Sequence, residues 1–197
     1  MALGGGIFTK QDKVLPGSYI NFVSLNAPVG ALGERGTATV PMELHWGPVG
    51  EVIPLTARQA RTDALSVFGY PYDSDALRPV RELFRHAETV LFYRLGGDGG
   101  QAAWNKFATA KYPGTRGNQL KLTIAETGTE GRFDVSVYLD GILVDRQRDA
   151  ATTADLEDND FVTWKNITLD GQSGIALQGG VDPTVNAASY DGYFSAV

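Results

Sequence analysis

Apolar and polar residues alternate most regularly over residues 37–46. A period of two predicts a β-strand with one buried face. Pro41 lies inside this run and has no backbone N–H, so we expect an edge position or a bulge there. The predicted buried face is entirely apolar and consists of Ala38, Val40, Met42, Leu44 and Trp46.

Two segments with helical spacing follow this strand. The first is predicted to begin at Thr56, which has capping-box spacing with Gln59, and to end at Gly69. The second can be capped by Asp73 or Ser74 and has an apolar face of Leu77, Val80, Leu83, Phe84 and Ala87. The short apolar run over 89–95 then predicts a buried strand, so residues 19–95 have the β-β-α-α-β order of an α/β layer.

The pattern changes after the glycine run at residues 96–100, which we interpret as a hinge. Alternating segments surround Asp140-Gly141, a strong hairpin signal. Short strands are predicted at 161–164 and 167–169, and the region as a whole predicts an all-β sandwich. A second hinge is predicted at 179–183, after which Ser189 could cap a helix beginning at Tyr190.

These patterns predict a mixed α+β fold with four parts. Residues 1–24 form an extended arm and linker strand, and residues 25–97 form a partial α/β domain. Residues 98–180 form an inserted all-β, sandwich-like domain, and residues 181–197 return to the α/β domain. The arm contains Gly4-Gly5-Gly6 and a strand-like run over 19–23, so it could fold back or add a strand to a neighbour's sheet edge.

Composition excludes several kinds of chemistry. The chain has no cysteine, which removes disulfides, thiolate nucleophiles and cysteine metal sites. Its net charge of -6 argues against a nucleic-acid binder. No apolar run is long enough to cross a bilayer and no secretory signal is present, so we expect synthesis and folding in a cytoplasm and no membrane insertion.

Candidate catalytic and ligand-binding residues are few. His45 and His86 are the only histidines, and we interpret both as surface residues. The glycine run at 96–100 lacks the lysine and hydroxyl residue of a phosphate loop. The acidic cluster of Asp155, Glu157, Asp158 and Asp160 could offer oxygens to calcium, but its spacing does not fit an EF-hand and predicts a surface loop. We therefore expect no enzyme activity, no cofactor and no metal.

Several stretches in collinear order resemble contractile-phage tail sheath proteins of the type found in prophages of Gram-positive bacteria. The opening GGGIFTKQDKVLPGSYINFVS is one of them. The others are RGTATVPMELHWGPVGEVIPLT at 35–56, FGYPYD at 68–73, ATAKYPGTRGNQLKL at 108–122, DNDFVTW at 158–164 and LQGG at 177–180. The resemblance covers nearly all of the chain.

The resemblance implies a structural subunit of a phage or phage-like tail. Such subunits polymerise into a helical sleeve around a tail tube and contract to drive the tube through the host envelope, without catalysis or a cofactor. The implied partners are other copies of the chain through strand exchange, the tail tube protein and the baseplate. The arm residues implied to link subunits are Ile7, Phe8, Tyr19, Ile20, Phe22 and Val23.

Family members continue beyond the length of this chain, which is therefore expected to be a fragment or a shortened relative. The sequence also leaves open a second function. A β-sandwich could bind carbohydrate or a surface protein, with Trp104 or Trp164 as an aromatic platform.

Overall fold

A computed structural model describes residues 36–197 of the chain, so the predicted arm lies outside the described residues. The strands are β1 (Thr37–Met42), β2 (Val52–Thr56), β3 (Thr89–Arg94), β4 (Ala108–Ala110), β5 (Leu120–Glu126), β6 (Phe133–Leu139), β7 (Ile142–Ala150), β8 (Val162–Trp164) and β9 (Gln172–Ala176). The α-helices are α1 (Ala57–Thr62), α2 (Ala64–Phe68), α3 (Arg78–His86) and α4 (Ala187–Ala196).

The first lobe is a three-stranded sheet with helices on it, and we call it the α/β lobe (residues 36–95 with 187–196). Its strand order is β1-β3-β2, with β1 parallel and β2 antiparallel to β3. Alternation places Val90 and Phe92 of β3 on one face, where α1, α2 and α3 cover them. This face forms a continuous apolar core with Leu55, Ala60, Ala64, Phe68, Leu77, Val80 and Phe84.

The helix signals were only partly correct. Thr56 and Gln59 form the predicted capping box, and Gly69 ends the segment in the left-handed conformation. The single predicted helix is, however, two short helices that meet at Asp63. The predicted side-chain cap at Asp73 or Ser74 is also wrong, because a 3₁₀ turn over Asp75–Leu77 leads into α3 without a side-chain cap.

The first strand ends earlier than its alternation predicts. β1 stops at Met42, and the chain then bends through His45, Trp46 and Gly47, whose φ is +98°. This bend carries Trp46 away from the face that it would share with Val40. Trp46 is fully buried, as predicted, but in the core of the other lobe.

The second lobe is a β-sandwich, and we call it the β lobe (residues 100–181). An antiparallel sheet of order β7-β6-β5-β9 packs on the two-stranded sheet β4-β8. The predicted hairpin joins β6 to β7, and both Asp140 (φ 53°) and Gly141 (φ 81°) have the positive φ of a type I′ turn. The apolar core contains Leu120, Leu122, Ile124, Phe133, Val135, Val137, Leu139, Phe107, Phe161 and Val162.

One strand predicted in this lobe is not formed. The segment 167–169 makes only an isolated bridge, from Thr168 to Thr152. A side chain competes with strand pairing here, because the Thr153 hydroxyl accepts the backbone N–H of Ile167 at 2.8 Å.

The last helix returns the chain to the α/β lobe. It begins at Ala187 because Asn186, not Ser189, is its N-cap, and Ser189 completes the capping box at its third position. Tyr193 packs on Tyr93 with 5.6 Å between ring centroids, and its hydroxyl lies 3.1 Å from the Thr39 hydroxyl. Thus α4 covers part of the sheet face opposite to α1–α3.

Residues 36–197 lie within one compact unit. The boundaries predicted after residues 97 and 180 stay predictions. No helix within residues 36–197 is long and apolar enough to cross a membrane.

Candidate functional site

The functional residues predicted from the sequence belong to the arm. Ile7, Phe8, Tyr19, Ile20, Phe22 and Val23 all lie outside the described residues, so their role stays a prediction. The candidate surfaces that the structure does describe are the edges of the three-stranded sheet and the junction between the two lobes.

In the part of the chain that the structure describes, both edge strands of the three-stranded sheet carry a proline. The N–H of Leu95 donates to the Met42 carbonyl at 2.9 Å, so even-numbered residues of β1 face β3. In a parallel pair the backbone groups of alternate residues point to opposite sides, so those of Thr37, Thr39 and Pro41 face outward. Among residues 36–197, Pro41 therefore has an edge position, which is one of the two alternatives that the sequence predicted.

The other edge strand repeats this arrangement. Pro54 of β2 is opposite Leu91 of β3 but has no N–H to exchange with it. Pro54 therefore occupies a pair without hydrogen bonds, whose backbone groups face outward. Each of these edges lacks one outward donor, which weakens pairing with a further strand.

The lobe junction is built around Trp46, Arg94, Thr115, Arg116 and Asp182. Trp46 follows β1 but inserts into the β lobe, where it packs edge-on against Tyr112 at 5.4 Å and stacks on Phe161 at 6.2 Å between ring centroids. Its indole N–H donates to the Ser66 carbonyl at 2.8 Å, so its polar atom remains bonded to the α/β lobe.

Arg94 is the buried cation of the junction. It ends β3 with 1% of its surface exposed. Its Nε donates to the Leu44 carbonyl at 2.8 Å, and its Nη1 donates to the carbonyls of Gly47 and, at 2.9 Å, Pro113. Burial lowers the pKa of Arg94 to about 10, although the negative charge of Asp182 raises it in part. The guanidinium is therefore still charged at neutral pH.

Asp182 is the anion beside Arg94. It accepts hydrogen bonds from the backbone N–H and the hydroxyl of Thr115, both at 2.8 Å, and lies 2.9 Å from Nδ1 of His45. Partial burial raises the pKa of Asp182, but the bonds from Thr115 and His45 outweigh it and hold that pKa below its usual value. His45 is more than half exposed, so its surface interpretation is correct, although it has an ion-pair partner.

The two glycine-rich segments lie side by side at the junction. Gly100 and Val181 exchange two backbone hydrogen bonds of 2.9 Å each. The chain therefore enters and leaves the β lobe at the same place.

The other candidate residues have structural roles. His86 is exposed at the end of α3 and lies 3.8 Å from Glu82. Asp155 accepts the backbone N–H groups of Thr152 and Ala151, which lower the pKa of its carboxyl. Asp160 pairs with Lys111, and the Asp158 carboxylate accepts the backbone N–H of Trp164. Within residues 36–197, no group of three or more His, Asp or Glu side chains could hold a metal ion.

The two tryptophans of the alternative binding function differ in exposure. Trp104 is 78% exposed. Trp164 is half-buried, and its indole N–H donates to the Glu157 carbonyl at 2.9 Å. Trp164 therefore packs against the β-lobe core at the end of β8, and of these two tryptophans only Trp104 presents an exposed ring.

Two family profiles match this chain in sequence order. Residues 35–95 match the profile described as "Tail sheath protein Gp18 domain III N-terminal region". Residues 98–182 match the profile described as "Phage tail sheath protein beta-sandwich domain".

Two curated relatives come from Bacillus subtilis (strain 168). The uncharacterized protein YqbK is 32% identical over 219 residues, and the phage-like element PBSX protein XkdK is 29% identical over 219 residues. Both alignments cover 98% of this chain but 46% of the relative. The chain thus spans less than half the length of these relatives.

Two solved structures share the fold. A sheath tail protein from Desulfitobacterium hafniense superimposes with a TM-score of 0.74 and 35% identity, over 92% of this chain and 43% of that protein. A sheath tail protein from Listeria innocua gives a TM-score of 0.71 and 29% identity, over 83% of this chain and 38% of that protein. These similarities confirm the mixed α+β fold that the sequence predicted.

Proposed function

Since the chain belongs to the phage tail sheath proteins, we propose that it is part of a subunit that forms a contractile sleeve around a tail tube. The observation that carries the proposal is the match of two sheath-domain profiles, one after the other, to residues 35–95 and 98–182. Sheath proteins are structural proteins of the virion tail and polymerise with copies of themselves. In our proposal the work of the subunit comes from its interfaces and needs no catalysis or cofactor.

The proposal extends to partners and place. The sleeve surrounds the tail tube protein, attaches to a baseplate and drives the tube through the host envelope when it contracts. Assembly takes place in the cytoplasm of the bacterial host. The relationship to the PBSX phage-like element protein supports a prophage or phage-like particle as the source.

The proposal also assigns roles along the chain. Residues 1–24 are the linker arm, and the apolar residues Ile7, Phe8, Tyr19, Ile20, Phe22 and Val23 pair with a neighbouring subunit. Residues 25–97 and 181–197 belong to the α/β domain, and residues 98–180 are the inserted β domain. The chain path supports this division, because α4 returns to the sheet that β1 begins.

Electron microscopy tests the proposal directly. The chain is expressed together with any coding sequence that continues in frame, and the product is imaged in negative stain over a range of concentrations. We expect hollow sleeves of uniform width. A monodisperse small particle at high concentration would reject the sheath function and leave a β-sandwich binding module as the leading explanation.

A further inference from the structure

We propose that Arg94 is the positioning residue that fixes the angle between the α/β lobe and the β lobe. The inference rests on the proposed sheath function for its mechanical meaning, since a rigid subunit transmits each displacement of its α/β lobe to its β lobe. From the sequence, the glycine-rich connections at 96–100 and 179–183 were interpreted as hinges.

The connections themselves restrict rotation. Gly100 and Val181 exchange hydrogen bonds, so the two connecting segments are held together. The β lobe can then at most bend about the line that joins these two residues. Pro183 occupies the space beside Gly99, where an added Cβ would lie 2.9 Å from the proline ring. The glycines thus allow close packing here and do not supply freedom.

Arg94 supplies contacts away from that line. Its guanidinium binds the carbonyls of Leu44 and Gly47 in the α/β lobe and that of Pro113 in the β lobe. A planar guanidinium holds several acceptors in one fixed arrangement, which a lysine ammonium cannot reproduce. Because Arg94 is buried, rotation of the β lobe would strip a buried cation of an acceptor, which costs more than loss of an exposed hydrogen bond.

Arg116 makes the reciprocal contact from the β lobe. Its Nε donates to the Gly69 carbonyl at 2.7 Å, and its guanidinium lies 4.4 Å from the centroid of the Tyr70 ring. Its Nη1 also pairs with Asp140 at 3.1 Å, in the β6–β7 hairpin. Each lobe therefore inserts one arginine into backbone carbonyls of the other.

Close packing leaves no room for sliding between these contacts. A Cβ on Gly114 would overlap the His45 carbonyl and lie 2.9 Å from Nη2 of Arg94. A Cβ on Gly69 would lie 2.7 Å from Cβ of Trp46 and 2.9 Å from Cγ of Arg116. Packing this close permits only discrete arrangements, so the angle between the lobes does not drift continuously.

The absence of cysteine makes a distance measurement straightforward. Arg58→Cys on α1 and Lys121→Cys on β5 place spin labels on exposed positions of the two lobes. Double electron–electron resonance should give one narrow distribution of the distance between the two labels. Arg94→Met should broaden this distribution. Arg85→Met, which removes an exposed arginine of α3, is the matched control and should leave the distribution unchanged.

A second pair and a milder variant complete the test. Arg58→Cys with Arg78→Cys lies within the α/β lobe and should remain narrow in every variant that keeps its circular dichroism spectrum. If Arg94→Met does not fold, Arg94→Lys and Arg116→Met take its place, and each should broaden the distance between the lobes. A broad distribution in the parent protein, or a narrow one in all folded arginine variants, would overturn the inference. Neither result depends on sleeve formation, so failure here is distinct from failure of the sheath function.

Discussion

Gly114 shows how much the junction depends on one missing methyl group. Its φ of +133° is unfavourable for other residues, and an added Cβ would meet the backbone of His45. We expect Gly114→Ala to destabilise the protein by about 2–4 kcal/mol, since backbone strain and overpacking add. Urea unfolding measures this change.

Gly128 offers the matched control for this prediction. It has no atom within 4 Å of an added Cβ and no positive φ. Gly128→Ala should therefore change the free energy of unfolding by less than about 1 kcal/mol. Equal effects of the two substitutions would show that the fit at the junction has little energetic weight.

Asp182 predicts an acid-sensitive contribution to stability. Its pKa in the folded protein is below the value in the unfolded chain, so its carboxylate stabilises the fold above the unfolded pKa of about 4. That contribution is lost as the pH falls through the folded pKa. The urea midpoint of the parent should exceed that of Asp182→Asn at neutral pH, and the difference should shrink below about pH 4. A constant difference across this range would contradict the prediction.

The junction residues could not be predicted from sequence because their partners are remote in the chain. Arg94 ends an apolar run and binds carbonyls at positions 44, 47 and 113. His45 and Asp182 are 137 positions apart. The sequence carries one signal of this junction, which is the charged Arg94 inside the apolar run over 89–95. Such a residue, when buried, must have partners.

At the scale of elements, we expect the prolines of β1 and β2 to limit the pairing of these strands with another molecule. Replacing both, as Pro41→Thr with Pro54→Thr, restores an outward N–H on each edge strand. We expect increased self-association in analytical ultracentrifugation, since complete edges favour pairing between molecules. Thr37→Val, which leaves the backbone donors unchanged, is the control. If the double variant self-associates no more than the control, the prolines have no protective role.

Elements with local causes were predicted well. The capping box at Thr56, the stop at Gly69 and the Asp140-Gly141 hairpin each depend on residues within one turn of chain. Two strand predictions were wrong because contacts with residues outside the predicted strand determined the local structure. β1 ends early because Trp46 is drawn into the β lobe, and the segment 167–169 is not a strand because Thr153 takes its backbone donor.

At the scale of the whole molecule, the arm carries the prediction about assembly. Deletion of residues 1–24 from a product that forms sleeves should abolish the sleeves but leave residues 36–197 folded, because those residues form a compact unit by themselves. Negative-stain images report the first effect and circular dichroism the second. Sleeves that persist without the arm would remove its linker role.

The paired segments at Gly100 and Val181 also form a site where a foreign domain could be inserted. Because the chain leaves and re-enters the α/β lobe at adjacent residues, another compact domain with neighbouring termini could be grafted in place of the β lobe without stretching the sheet. Trp46 would then lose its apolar surroundings, so a graft would require a polar or small residue at that position. A sleeve built from such chimeras would display the grafted domain once per subunit, at a regular spacing along a tube.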